Sequence, residues 1–260
     1  ESASVLSATI GNMSAIRLGT RASTLATTQS EMVAGLLRSE GLDVNLTTIT
    51  THGDTSTASL AAMGGIGVFA SAIRAALLEG EADIAVHSFK DLPTGRPLGL
   101  AIGAVPARAD PRDALVARDG LTLHDLPQEA SVGTGSPRRA AQLLAVRPDL
   151  TIVDIRGNVD TRLGRVKGLG RYAKNGGKED LDAVVLAASG LARLGHSGAV
   201  TEFLDPSVVL PAPAQGALAV ECRTADSRHG KLAKALARID DRRTRLAATA
   251  ERAVLSHLEA

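Results

Sequence analysis

The chain has 260 residues, enough for one large domain or two smaller ones. Its 44% hydrophobic and 22% charged content excludes disorder, and a net charge of only +1 excludes wholesale nucleic-acid binding, so any anion site must be local. No apolar run is long enough to span a membrane, three Phe and one Tyr give no base-stacking surface, and one cysteine, Cys222, excludes an internal disulfide and fits a reducing, cytoplasmic setting.

Residues 1–13 read as a tail of small residues without the basic start and long apolar core of a secretory signal. A strand is expected at 16–19. Ser23 or Thr24 then caps a helix ended by Gly41, with Leu25, Met32, Val33, Leu36 and Leu37 expected on one buried face. Residues 44–50 alternate apolar and polar, as a strand does. After a Gly-rich turn, 68–79 is helical through Ile73, Ala76 and Leu77 and stops at Gly80. Strands follow at 83–87 and 100–105. This β-α-β-α-β order implies a mainly parallel sheet covered by helices.

A second round begins near Asp110-Pro111-Arg112-Asp113. It holds expected strands at 114–117, 131–133 and 151–155, a helix at 137–146 and a buried strand at 182–187. The Gly- and Lys-rich segment 167–178 reads as a mobile surface loop. A strand at 218–222 and an Ala-rich amphipathic helix at 244–258 close the chain. Two α/β lobes with a cleft between them are the expected architecture.

Chemistry concentrates at the ends of the expected strands. The apolar run before His87 ends abruptly in Ser88, Lys90 and Asp91 and stops at Pro93, which places these groups where α/β proteins bind ligands. A carboxylate there can move protons or stabilise a cation. In Gly133-Thr134-Gly135-Ser136-Pro137-Arg138-Arg139, Ser136 is a good N-cap and Pro137 fits the first helical position. Two arginines at a helix start oppose its dipole, a mismatch that an anion seated there would relieve. Arg156-Gly157-Asn158-Val159-Asp160-Thr161-Arg162 repeats this pattern, Arg193 follows another strand, and Arg21 follows the first. Six such arginines call for a polyanionic ligand.

The segments Gly19-Thr20-Arg21-Ala22-Ser23, His87-Ser88-Phe89-Lys90-Asp91-Leu92-Pro93, Asp110-Pro111-Arg112-Asp113, Arg156-Gly157-Asn158-Val159-Asp160-Thr161-Arg162-Leu163 and Gln215-Gly216-Ala217 occur in this order. In them the chain resembles the porphobilinogen deaminase (hydroxymethylbilane synthase) family. The resemblance runs from about residue 15 to the end. It implies two periplasmic-binding-protein-like lobes, the first at 14–107 and 214–236 and the second at 108–213. A third α+β domain would begin at 237–260 and be truncated here.

It also implies head-to-tail condensation of four porphobilinogen molecules, with release of ammonia, on a dipyrromethane cofactor. Each substrate carries an acetate and a propionate, the polyanion the arginines require. By resemblance Asp91 is the catalytic carboxylate, protonating the departing amine and stabilising the cation it leaves. Arg21, Ser23, Phe69, Ser88, Lys90, Thr134, Ser136, Arg138, Arg139, Arg156, Arg162, Arg193 and Gln215 would hold cofactor and substrate. No metal is expected, and the partners implied are porphobilinogen and the growing oligopyrrole, acting on a monomer without nucleic acid or membrane.

This sequence departs from the family pattern in three places. Gly64-Gly65-Ile66-Gly67 and Ala62 stand where lysines are usual in a lid, and Gly135 stands for a serine. The cofactor-bearing cysteine of the family, in a Gly-Gly-Cys turn after Leu-Glu, has no counterpart in this chain, so the chain is expected to carry no covalent cofactor and to be inactive by itself. The alternative reading is a non-enzymatic anion-binding protein on two lobes, which would use the arginines but have no need of Asp91.

Overall fold

From the N-terminus the chain runs through β1 (Ile16–Thr20), α1 (Thr24–Ser39), β2 (Val44–Thr48), α2 (Val68–Leu78), β3 (Ile84–Ser88) and β4 (Leu100–Ala104). It crosses over to β5 (Asp113–Ala117), β6 (Ser131–Gly133), α3 (Pro137–Val146), β7 (Thr151–Val153), α4 (Val159–Leu163), β8 (Ala183–Ala187), α5 (Ala188–Arg193) and β9 (Glu202–Phe203). It then returns through β10 (Leu218–Arg223) to α6 (Gly230–Ile239) and α7 (Arg242–Leu258). The computed structural model describes residues 15–49, 68–95 and 97–258, except the side chains of Val68 and Phe69.

Two five-stranded sheets result, in the orders β2-β1-β3-β10-β4 and β7-β6-β8-β5-β9. β1 is parallel to β2 and β3, while β10 is antiparallel to β3 and β4. In the second sheet β6 is parallel to β7 and β8, and β5 is antiparallel to β8 and β9. Each sheet is therefore mainly parallel in direction, with one reversed strand inserted. Both reversed strands, β5 and β10, directly follow a crossing between the sheets, so each lobe is completed by a strand that has just arrived from the other. β5 is buried along its whole length, as a central strand packed on both faces must be.

Helix α1 differs from its expected orientation. Ser23 caps it as anticipated, its hydroxyl accepting from Ala26 N at 3.3 Å. The buried face, however, is Gln29, Ser30, Val33, Ala34 and Leu37, while Met32 and Leu36 are 48% and 42% exposed. The helix is turned because two polar side chains have partners in the sheet. Ser30 Oγ donates to Thr20 Oγ1 at 2.8 Å, and Gln29 Nε2 donates to Ser88 Oγ at 3.1 Å.

Segment 167–178, expected to be a mobile loop, is folded back instead. Glu179 accepts from Gly168 N and Gly170 N, and a Cβ on Gly177 would fall 1.7 Å from Gly164 O. Its glycines allow close backbone approach. Helix α6 was not anticipated, although Leu232, Ala235 and Leu236 form a buried i, i+3, i+4 stripe. Helix α7 buries Ala248 in a core shared with Phe89, Leu92, Val105, Ala214, Ala217 and Ala219, beneath both crossovers. No helix among the described residues is long and apolar enough to cross a membrane.

Candidate active site

β3 ends at Ser88 and passes into a single 3-10 turn, Phe89–Asp91. Phe89 is buried, and its N–H donates to Ala217 O at 3.0 Å, so the turn is fastened to the crossover beside β10. Asp91 is left exposed, while Lys90 Nζ donates to Gln215 Oε1 at 3.1 Å. Burial pushes the Lys90 ammonium down from its usual range; Asp91 and Asp113 pull it up, and Arg139 and Arg138 push it further down. Those five side chains, drawn from both lobes, thus share one electrostatic neighbourhood.

Asp113 is the centre of that neighbourhood. It is the first residue of β5 and 0% exposed. Arg139 donates to its Oδ1 from Nε at 3.0 Å and from Nη2 at 2.7 Å. Arg138 Nη2 donates to Oδ2 at 2.7 Å, and Gln215 Nε2 donates to Oδ1 at 2.8 Å. Burial by itself would raise the Asp113 pKa, but Arg139 and Arg138 outweigh it and hold the carboxyl below its ordinary value. The arginines at the start of α3 imply an anion, and the chain supplies one itself. With Arg139 Nη1 donating to Val185 O at 3.1 Å and the residue only 6% exposed, all its guanidinium nitrogens are engaged within the protein. Arg138 Nη1 donates to Leu210 O.

The turn before α3 forms as its sequence directs. Ser136 Oγ accepts from Arg139 N at 3.4 Å and Ser136 N donates to Thr134 Oγ1 at 3.2 Å, so both hydroxyls shape the helix start. Asn158 caps α4 in the same way, accepting from Thr161 N at 2.8 Å. That short helix carries Arg162, whose Nε donates to Gly157 O at 2.8 Å. Burial lowers the Arg162 pKa, and Arg139 and Arg156 lower it further; Asp154 opposes them. Arg156 pairs with Asp154 at 3.2 Å, where both are well exposed. Arg193, at the end of α5, donates from Nη2 to Gly216 O at 2.7 Å, and burial lowers its pKa. Its Nε is buried without a hydrogen-bond partner among the described residues.

The structure therefore gathers Arg138, Arg139 and Gln215 on Asp113, places Lys90 on Gln215 with Asp91 and Asp113 in its electrostatic neighbourhood, sets Arg139 and Arg156 in that of Arg162, and ties Arg193 to the Gly216 turn. Arg21, Ser23 and Ser88 stand at the adjacent ends of β1 and β3. Phe69 lies in the first turn of α2, but its side chain, like Ala62 and residues 64–67, is outside the described part. Sequence reasoning missed Asp113 and Gln29. A carboxylate heading the wholly apolar run 114–117 was the available signal for Asp113, since a buried charge requires partners. Cys222 is buried in β10, and burial pushes its thiol up to about 11, which makes it a poor nucleophile at neutral pH.

The family model described as "Porphobilinogen deaminase, dipyromethane cofactor binding domain" matches residues 16–231. A porphobilinogen deaminase of Micrococcus luteus is 56% identical over 267 residues, covering 95% of this chain and 71% of its own length. The enzyme of the same name from Leifsonia xyli subsp. xyli is 58% identical over 248 residues, at 95% and 72% coverage. Among solved structures, a nutrient-binding protein from Burkholderia cenocepacia bound to methionine is 16% identical, with a TM-score of 0.49 over 85% of this chain and 91% of that one.

Proposed function

The chain belongs to the porphobilinogen deaminase family, and on that premise we propose that it condenses porphobilinogen head to tail into hydroxymethylbilane, a step of tetrapyrrole biosynthesis that releases ammonia. The observation that carries this reading is the exposed carboxylate of Asp91 at the end of β3, beside Lys90 and facing an arginine-rich neighbourhood. In each round a carbon–nitrogen bond of the aminomethyl group breaks and a carbon–carbon bond forms to a neighbouring pyrrole. Asp91 passes a proton to the departing amine, offsets the positive charge left on the pyrrole, and takes back the α-proton once coupling has occurred. Lys90 and the arginines hold the acetate and propionate groups, for which guanidinium forks are suited.

The arginines present fit the carboxylates of the family's dipyrromethane cofactor. Arg193 Nε is a buried donor that lacks an acceptor among the described residues, and burial, Arg139 and Arg156 lower the Arg162 pKa, which a carboxylate there would relieve. Arg156, Arg162 and Arg193 would hold its carboxylates, and when bound it supplies the pyrrole carbon to which the first substrate couples. On the same reading the first lobe is 14–107 with 214–236, the second is 108–213, and the protein acts as a cytoplasmic monomer. A non-enzymatic anion-binding protein is not favoured, since it would have no use for Asp91.

Asp91→Asn, made in the full-length enzyme with its cofactor attached, tests the reading. The amide is isosteric but can neither donate that proton nor offset a cation. We expect an unchanged melting temperature, because the side chain is exposed, and a fall in porphobilinogen turnover of about 10²–10⁴-fold. Turnover within a few-fold of the parent protein would overturn the assignment.

A further inference from the structure

Asp91 is exposed, so its position is set through the backbone of its own turn rather than by packing of its side chain. That backbone is gripped from far along the chain. Arg252, on α7, donates from Nη1 to Phe89 O at 3.0 Å and to Leu92 O at 2.8 Å, and from Nη2 to Pro93 O at 2.6 Å. Its guanidinium carbon also lies 4.6 Å from the centre of the Phe89 ring. Three carbonyls of residues 89–93 are thus satisfied by one planar cation.

The preceding residue does the same for the opposite turn. Glu251 takes Arg108 Nη1 and Nη2 at 2.6 and 2.9 Å, and its Oε2 accepts from Ala214 N at 2.7 Å. Arg108 Nε in turn donates to Gln215 O at 2.8 Å. Ala214 is buried with φ +61, a left-handed conformation that a non-glycine residue keeps only when its surroundings enforce it. Successive residues on a helix point about 100° apart, so one turn of α7 can reach both segments at once.

We propose that Glu251 and Arg252 form a bracket that sets the Asp91 turn against the Gln215 turn, with Arg252 a positioning residue for Asp91 and Glu251 one for Gln215. This rests on the reading that Asp91 acts in porphobilinogen turnover. It makes α7 part of the working site although no side chain of that helix need touch substrate. Lysine cannot substitute fully for Arg252, because a single ammonium lacks the planar fork that spans three carbonyls.

The test compares the full-length, cofactor-loaded parent enzyme with its Arg252→Met, Arg252→Lys and Glu251→Gln variants, by porphobilinogen kinetics and by amide hydrogen exchange of the substrate-free protein. Displacing a reacting group by about 1 Å costs about 10²-fold in rate. Arg252→Met should therefore lower kcat by about 10–10²-fold, with KM changed less than about threefold. Exchange at residues 89–92 should quicken about tenfold, and Arg252→Lys should fall between the two. Glu251→Gln should quicken exchange at 214–215 instead.

Unchanged kcat together with unchanged exchange at 89–92 overturns the proposal. So does a raised KM at constant kcat, which would make Arg252 a ligand-binding residue. If the full-length, cofactor-loaded parent turns over no porphobilinogen, it is the functional reading that fails, and the exchange measurements still decide the bracket. Should Arg252→Met not fold, Arg252→Lys gives the same reading at smaller amplitude.

Discussion

Asp113 lies out of contact with water between two guanidinium groups, and removing its charge would leave the buried Arg139 and the partly exposed Arg138 uncompensated. Breaking a buried pair of this kind costs about 3–5 kcal/mol. Asp113→Asn should therefore lower the melting temperature markedly at pH 7. Its carboxyl titrates lower in the folded chain than in the unfolded one, so its stabilisation is complete above the unfolded value of about 3.9 and is lost as pH falls through the folded value. The gap between parent and variant should then narrow steadily below about pH 4, as read from thermal melts across the acid range. A gap independent of pH would mean that Asp113 acts through packing rather than charge. Asp91 was legible in the sequence because it follows an apolar strand directly. Asp113 was not, because its partners Arg138 and Arg139 lie 25 and 26 residues away and Gln215 lies 102 away.

At the scale of elements, turns decide where the site residues point. Gly216 has φ +88, and a Cβ there would stand 2.5 Å from Ala109 O and 3.1 Å from Asp110 O. Both obstacles are backbone, so the strain cannot be relieved by a rotamer change. Gly216→Ala should destabilise by about 1–3 kcal/mol and shift Gln215 away from Lys90 and Asp113. Chemical denaturation measures the first effect, and a loss of turnover beyond that seen in an equally destabilised core variant reports the second. Gly135 and the cap Ser136 were readable in sequence, since capping is a local rule of a few residues. The rotation of α1 was not: its hydrophobic pattern favoured Leu36 and Met32, and only Thr20 and Ser88 on the sheet explain why Ser30 and Gln29 are turned inward.

For the molecule as a whole, the chain crosses twice between sheets, and the site lies where it does so. Lys90 reaches Gln215, Gln215 reaches Asp113, and Asp113 holds α3 through two arginines, so on the proposed reading a ligand bound here would engage both lobes. Porphobilinogen at a hundredfold excess over its Kd should add about 2.7 kcal/mol to stability. A shift of about 2–4 °C per kcal/mol is expected for a chain of this size, measurable by thermal unfolding. In Arg156→Leu the shift should shrink while the ligand-free melting temperature stays put, because Arg156 is exposed and its pair with Asp154 contributes little. Absence of any shift, or an undiminished shift in the variant, would count against carboxylate binding by this arginine.

The sequence by itself determined the alternation of strands and helices, a cap at Ser23 or Thr24 and one at Ser136, and the placing of Asp91 and the arginines at strand ends. These follow from periodicity and from interactions within a few residues, which a linear reading can see. Tertiary structure alone decided that β5 and β10 run against their neighbours, that Asp113 occupies the anion position before α3, and that Arg252 reaches back some 160 residues to the Asp91 turn. Each of these depends on which segments come to lie side by side, and the energy of such a contact belongs to the pair of surfaces rather than to either stretch of sequence.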